Sequence, residues 1–226
     1  MARNNSELTR SNIVQVVARR FLEDGYTDTS VKAIAKELDI STGHVTYFFA
    51  TKEHMLARLV EMLCHFQWDI MRKAVNEGNT SIRALCLELA TMAAACDKDP
   101  VAKDFFLSSY THPITLDIIR KNDVARAKEM FGSYCTHWSD EHYDEAEILV
   151  SGIEYATLMT TDDSVSLDRR VAASLESILT VYNVPPEVRR EKIDLVLSMD
   201  YRSLGMKILK DFKVYVDEQT HNGFMG

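Results

Sequence analysis

Apolar residues recur at intervals of three and four near the start of the chain. This spacing places them on one face of a helix. The first run, within residues 9–23, ends before Gly25, and the second covers about two turns before Asp39. The residues that form these two apolar faces are Ile13, Val17, Phe21, Val31, Ile34, Ala35 and Leu38.

A third short helix is predicted over residues 42–49, with Val45 and Phe48 directed inward. It follows the second helix after a connection of about three residues, in which Ser41 can act as the N-cap. Two short helices joined by so short a turn are typical of a helix-turn-helix, whose second helix enters the major groove of DNA.

The rest of the chain continues the helical pattern in longer segments. A helix over 52–77 directly follows the short ones, and Pro100 and Pro186 stand where two later helices begin. Only 8 Gly and 4 Pro in 226 residues favour long helices over turn-rich β structure. The sequence therefore predicts an all-α fold. The further helices are predicted over 80–96, 100–110, 114–137, 140–160, 167–183, 186–198 and 201–218.

Composition limits the compartment and the cofactors. No apolar run approaches the roughly 18–20 residues of a membrane span, and the N-terminus leads into no hydrophobic signal region. We therefore expect a cytoplasmic protein without a membrane partner and without a cofactor. The cysteines have no paired spacing, so we interpret them as small buried apolar residues. They are Cys64, Cys86, Cys96 and Cys135.

The net charge of −8 at first argues against a nucleic-acid partner, but its distribution changes that interpretation. Residues 1–53 contain seven basic and seven acidic residues, so the whole excess of negative charge lies in residues 54–226. Binding to phosphates requires a local basic patch and not a basic protein as a whole.

The stretch from Thr29 to Glu53 resembles the DNA-binding signature of the tetracycline-repressor (TetR) family. That signature typically reads T-x-x-x-I-A-x-x-A-G-V-S-x-G-x-L-Y-x-x-F-x-x-K-E. The upstream pattern F-x-x-x-G-Y, from Phe21 to Tyr26, matches as well, and the resemblance covers roughly the first 55 residues. The matching positions within the signature are Ile34, Ala35, Ser41, Gly43, Tyr47 or its neighbours, Phe49, Lys52 and Glu53.

Two positions depart from the family pattern. Asp39 stands where glycine is usual in the turn, and aspartate tolerates the left-handed conformation better than most residues. Thr46 stands where an aromatic residue is usual, with His44 two residues before it. The sequence of the bound DNA therefore cannot be transferred from the family.

The resemblance implies a homodimeric transcriptional repressor, released from a palindromic double-stranded DNA operator by a small-molecule effector of unknown identity. It divides the chain into an N-terminal three-helix helix-turn-helix domain, residues 1–53, and a helical effector-binding and dimerisation domain, residues 54–226. It also implies that helices 140–160 and 167–183 pair with their symmetry mates, where Gly152 and Ala156 permit close approach.

The candidate DNA-binding residues are polar side chains at helix starts, side chains off the apolar stripe of the third helix, and a glycine that lets this helix approach DNA closely. A lysine in the first turn of the long helix opposes the helix dipole, so we expect it to meet a phosphate. The candidates are Thr29, Ser41, Thr42, Gly43, His44, Thr46, Tyr47 and Lys52.

In this family the effector site lies inside the helical body, against the long helix that follows the DNA-binding domain. Large adaptable apolar side chains with a few polar tips suit such a pocket, although the same spacing is typical of an ordinary core. The candidates are Phe66, Trp68, Met71, Met92, Phe105, Phe106, Tyr110 and Tyr155.

No pattern of an active site accompanies these features. The sequence contains no phosphate-binding glycine loop, no G-x-S-x-G and no H-E-x-x-H. Cys135 and His137, with His142 nearby, lack a fourth metal ligand at suitable spacing. We expect neither catalysis nor a metal site. The alternative function is an all-helical protein-interaction module whose helix-turn-helix does not bind DNA.

Overall fold

A computed structural model describes residues 2–78, 81–161 and 164–221. These residues form eleven helices and no strand, so the predicted all-α fold is confirmed. The helices are α1 (Ala2–Glu23), α2 (Val31–Glu37), α3 (Thr42–Phe48), α4 (Lys52–Val75), α5 (Ile82–Lys98), α6 (Pro100–Thr111), α7 (Pro113–Phe131), α8 (Asp140–Met159), α9 (Leu167–Val181), α10 (Pro186–Leu197) and α11 (Tyr201–His221).

Local side-chain caps determine where several helices begin. The hydroxyl oxygen of Ser30 accepts a hydrogen bond from the backbone N–H of Ala33, and that of Ser41 accepts from the N–H of His44, both at 3.1 Å. Asp99 caps α6, with Pro100 in the first turn. Each cap satisfies a backbone donor that the helix itself leaves free.

The turn between α2 and α3 forms as the sequence predicted. Asp39 has a φ of 54°, in the left-handed region, and the N–H of Ile40 donates to the carbonyl of Ala35 at 3.0 Å. Aspartate therefore provides the conformation for which glycine is usual at this position. Val45 is buried as expected, but Phe49, the C-cap of α3, takes the inward position that was predicted for Phe48, which is only partly buried.

The body is built around α5, which packs against α4, α6, α8, α9, α10 and α11. Alanine and other small side chains on α5 let its neighbours approach closely. At Gly205 of α11, an added Cβ would lie 2.5 Å from the carbonyl oxygen of Thr91, so only glycine fits this contact. The same α11 packs along α1, where Gln15 Nε2 donates to Thr220 Oγ1 at 2.7 Å. The first helix is thus held against the body.

Two helix boundaries differ from the prediction by more than one helical turn. Helix α1 begins at Ala2 and not near residue 9, and α7 ends at Phe131 and not at residue 137. After Phe131 the backbone turns, and its carbonyl accepts from the N–H groups of Tyr134 and Cys135. Cys135 is buried with its Sγ 3.3 Å from the carbonyl oxygen of Tyr182, a tertiary contact that continued helix would not make. Among the described residues, no helix has the length and apolarity that crossing a membrane requires.

Candidate functional site

Helix α3 presents a continuous polar face to solvent. Thr42, Gly43, His44 and Thr46 are exposed, and the Tyr47 side chain is 80% exposed. An exposed face on the second helix of a helix-turn-helix is the surface that meets base edges in the major groove. The structure thus brings five of the eight predicted DNA-binding residues together on one surface.

Aromatic contacts with Phe48 hold two side chains of the exposed face in place. The His44 ring stacks on Phe48, with centroids 5.6 Å apart, and Tyr47 packs edge-on against the same ring at 5.1 Å. Gly43 has open space around it, since an added Cβ would meet only Ser41 Oγ, at 3.8 Å. The protein's own packing does not require glycine there, so close approach by an external partner remains the predicted reason for it.

Thr29 has a structural position that does not suit DNA contact. It is only 3% exposed, and its hydroxyl donates to the carbonyl of Gly25 at 2.7 Å. The cap of α2 is Ser30. Thr29 therefore closes the loop between α1 and α2, and its side chain is not available to a phosphate.

Lys52 is also engaged inside the protein. Its ammonium donates to the backbone carbonyls of Tyr26 at 2.7 Å and Thr29 at 2.9 Å, and lies 4.0 Å from the centre of the Tyr26 ring. A third carbonyl, that of Thr27, lies at 3.5 Å. Burial lowers the pKa of the Lys52 ammonium. The cation that was expected to meet a phosphate instead fastens the α1–α2 loop to the start of α4.

Two basic residues that the candidate set omitted lie on α2. Lys32 and Lys36 are exposed and four residues apart, hence on one face of the helix. Within the part of the chain that the structure describes, neither forms an ion pair, whereas Arg19 and Arg20 both pair with Glu37. Their i, i+4 spacing on the first helix of a helix-turn-helix, which crosses the DNA backbone, was the available sequence signal.

A cavity lies in the body, enclosed by α4 to α8 and by Tyr182 at the end of α9. Its volume is about 50 Å³, on a scale where one water molecule needs roughly 10–15 Å³. Of the predicted pocket residues, three line it: Met92, Phe106 and Tyr110.

The other predicted pocket residues do not line this cavity, because tertiary packing uses them elsewhere. Phe66 packs on Phe212 and Tyr215 of α11. The sulfur of the buried Met71 accepts a weak hydrogen bond from the Thr91 hydroxyl at 3.9 Å. Trp68 lies outside the lining, under the Arg126 guanidinium at 4.7 Å. The remaining two are Phe105, which is fully buried, and Tyr155, which is partly buried.

Charged groups that the apolar pattern did not reveal line the same cavity. Arg126 forms ion pairs with Glu88, at 2.8 Å, and with Asp123. Glu147 and Glu154 line the opposite side, on α8. A signal existed for Glu147, because it falls in register with the buried Tyr143 and Val150 on an otherwise acidic helix. A carboxylate on the inward register of a helix indicates a buried polar site.

Helix α6 connects the cavity to the helix-turn-helix. Its Phe106 and Tyr110 line the cavity, while Asp104 accepts a hydrogen bond from the backbone N–H of Thr27 at 2.8 Å and another from the Thr27 hydroxyl. The Tyr26 ring also packs edge-on against His112, the C-cap of α6, with ring centres 5.2 Å apart. The loop held by Lys52 is therefore in direct contact with a helix of the cavity wall.

Two of the three residues considered for a metal have other structural roles. Cys135 is buried against the Tyr182 carbonyl, and His142 caps α8 together with Ser139. Among the described residues, no group of three His, Cys, Asp or Glu side chains is arranged to hold a metal ion.

Residues 13–59 match the family model for bacterial regulatory proteins of the tetR family. No curated protein matches the chain. A solved gamma-butyrolactone receptor, an ArpA-like protein, aligns with a TM-score of 0.44 at 18% identity, over 91% of this chain and 99% of that chain. The TetR-family protein CprB from S. coelicolor A3(2) aligns with a TM-score of 0.43 at 20% identity, over 90% and 98%. These structural alignments carry no argument at such TM-scores, and the family match covers residues 13–59.

Proposed function

We propose that this chain is a dimeric transcriptional repressor, because residues 13–59 match the model of the tetR family of bacterial regulatory proteins. In this proposal it binds a palindromic operator and leaves it when a small-molecule effector enters the body. Residues 1–53 bind DNA, residues 54–226 bind the effector and form the dimer, and the chain catalyses no reaction.

The exposed face of α3 is the observation that carries the DNA-binding part. Its side chains are polar, largely free of tertiary contacts and held by a capped, braced helix. Lys32 and Lys36 on α2 provide two exposed cations near α3, although the chain as a whole has a net charge of −8. This arrangement supports base contacts from α3 and phosphate contacts from α2. An interaction module without DNA binding explains neither feature.

The surface of α8 and α9 supports a dimer through a second copy of this chain. Leu149 is 59% exposed, and Gly152 on the same helix has no atom within 4 Å of the place where its Cβ would stand. On α9 the exposed side chains include the small Ala173 and Ser177, which permit close helix packing. The other exposed residues of the α8 face are Ile148, Ala156 and Met159.

Release by an effector has a structural route through two helices. Helix α4 lines the cavity through Gln67 and starts at Lys52, a span of roughly 22 Å at ~1.5 Å per residue. Helix α6 lines the cavity and holds Thr27 through Asp104. Both α3 helices of a dimer can bind DNA when they lie one turn of the double helix apart, roughly 34–36 Å. An effector that binds better to a dimer with a different separation shifts the population away from this DNA-binding state.

The test begins with selection of bound DNA from a random-sequence pool by the purified full chain. We expect an enriched palindrome that shifts as a dimer complex in a gel. The control is His44→Ala combined with Thr46→Ala, which keeps the fold but changes the enriched sequence. Recovery of no enriched sequence at low salt, where DNA binding is strongest, contradicts DNA recognition and leaves the protein-interaction alternative.

A further inference from the structure

The polar lining of the cavity contains far more acid than base. Four carboxyl groups and one guanidinium line it, and the guanidinium of Arg126 is committed to two of the carboxylates. The lining residues that carry these groups are Glu88, Asp123, Arg126, Glu147 and Glu154. Among the described residues, the other two carboxyl groups of the cavity form no ion pair, and buried charge is costly unless it is paired or neutralised.

These two carboxyl groups are held in place by tyrosines. The Tyr110 hydroxyl donates to Glu154 Oε2 at 3.0 Å, and the Tyr182 hydroxyl donates to Glu147 Oε1. Glu147 is only 2% exposed, yet its second oxygen, Oε2, has no hydrogen-bond partner among the described residues. The amide nitrogen of Gln67, which also lines the cavity and is 3% exposed, has none either. Buried polar atoms are almost always satisfied in folded proteins, so these two atoms mark a place where a polar ligand can bind.

The remaining wall is hydrocarbon. Side chains from five helices, α4 to α8, provide it, so a ligand that fits must bring an apolar part as well as a polar one. Representative members are Leu63, Leu89, Met92, Phe106 and Val150.

We propose that the effector of this chain is a small organic amine, whose ammonium group pairs with Glu147 and Glu154 while its hydrocarbon part packs against the apolar wall. This inference rests on the proposed function, since it names the ligand class of that same cavity. An anionic ligand faces the four carboxyl groups, and the one guanidinium is already paired. A neutral ligand leaves the excess of acidic groups without a cation.

The protonation of these groups supports the assignment. Burial raises the pKa of Glu147 to about 8, and burial, with the nearby Asp123, holds the pKa of Glu154 well above its usual range. An ammonium that enters replaces one proton, which leaves to solvent, so that one carboxyl group ionises against the new cation while the other keeps its proton and accepts a hydrogen bond from the ammonium. Other ionisable groups also influence the pKa of Glu147: Asp123, Arg126 and Arg120 of α7, Tyr182 after α9, and Glu154 on its own helix. The remaining ionisable residues of the lining are Glu88 of α5, Tyr110 of α6 and Cys64 of α4.

Three compounds of nearly equal shape, each small enough for a cavity of this volume, test the proposal: propylamine, propan-1-ol and propionate. Binding to the full chain is measured by calorimetry at neutral pH, in two buffers with different ionisation enthalpies so that proton release is counted. We expect the amine to bind about tenfold or more tightly than the alcohol, with proton release, and propionate to bind more weakly still.

The variants Glu147→Gln and Glu154→Gln keep shape and hydrogen bonding but remove the charge. Each should reduce the preference for the amine, and together they should bring the amine and the alcohol to within about twofold. Glu145→Gln changes an exposed residue on the same helix and should leave the preference intact. Equal binding of the three compounds, no measurable binding of the amine, or a preference that survives the double substitution each overturns the proposal.

Operator binding is measured on the same preparations. If the amine proposal fails while the selected DNA still binds, the error lies in the ligand class and the repressor function stands. If no DNA sequence is enriched but the amine still binds with proton release, the cavity assignment stands and the repressor function fails.

Discussion

The α3 surface and the body cavity hold their polar groups in opposite ways. On α3 the side chains are exposed and make few tertiary contacts; Tyr47 is 80% exposed. In the cavity the charged groups are mostly bound to one another, as Arg126 is to Glu88, and Glu147 is 2% exposed. The first surface is open to a partner as large as a DNA duplex, and the second has room only for a small one.

In the proposed function, this difference is what allows one chain to recognise two unlike partners. A DNA-binding surface is exposed to water, where each contact between charges is weak and is screened by salt. Binding therefore requires many exposed groups. A buried cavity works at low dielectric, where one added or removed charge changes the protonation of its neighbours. The α1–α2 loop joins the two regions, since Asp104 of α6 and Lys52 of α4 both hold it.

Removal of the dimer surface should have the largest effect on DNA binding. Leu149→Arg places a charge in the proposed α8–α9 interface. We expect a monomer in sedimentation and a loss of operator affinity of about 100-fold or more, because two linked half-site contacts become one. Met206→Arg, an exposed apolar position on α11 (55% exposed), is the control and should remain dimeric. A dimer in the Leu149→Arg variant contradicts this interface.

Lys52 and Lys36 distinguish a cation that holds the fold from one that meets DNA. Lys52→Met leaves the Tyr26 and Thr29 carbonyls without their charged donor. It should lower the free energy of unfolding by about 1–3 kcal/mol, and operator binding should weaken with it. Lys36→Met should leave stability within about 0.5 kcal/mol and reduce the salt dependence of binding by about one phosphate contact. Denaturant titration and binding across salt concentrations separate the two. Unchanged stability in Lys52→Met, with a reduced salt slope, restores the phosphate role that the sequence indicated.

Tyr47→Ala tests whether the exposed face of α3 reads sequence. The ring contacts Phe48 alone among the aromatic residues described, so folding should be unaffected. We expect the selected operator to bind about tenfold more weakly, with little change in binding to unrelated DNA. Competition gel shifts measure the ratio, and Tyr47→Phe separates the ring from the hydroxyl. An equal loss on both kinds of DNA assigns Tyr47 to the phosphate backbone.

Glu147→Gln should affect DNA binding least and reveal the cavity through pH. Glu147 keeps its proton in the folded chain up to a pKa of about 8, but ionises near 4.5 when unfolded. Unfolding therefore releases a proton between these values, and the stability that Glu147 contributes is lost as the pH rises through this window. Denaturant titrations should show a shallower decline in Glu147→Gln, with Glu145→Gln as the control. Identical pH profiles contradict a buried protonated Glu147.

The sequence alone determined the features that depend on neighbours a few residues away. The helical period predicted an all-α chain, and Ser41 and Asp39 indicated the cap and the left-handed turn that the structure contains. The same local pattern located the polar face of α3. Such features follow because caps, turns and amphipathic faces form between residues close in sequence.

Tertiary structure alone decided which inward side chains line the cavity and which basic side chains are bound to other groups of the protein. The helical period shows that Phe66 and Phe106 both point inward. The tertiary structure then packs Phe66 against Phe212 of α11, whereas Phe106 lines the cavity. Lys52 reaches a carbonyl 26 residues away, a contact that no local pattern encodes. These outcomes depend on how whole helices pack, because a side chain's partner across a core is set by the relative placement of two elements and not by its own register.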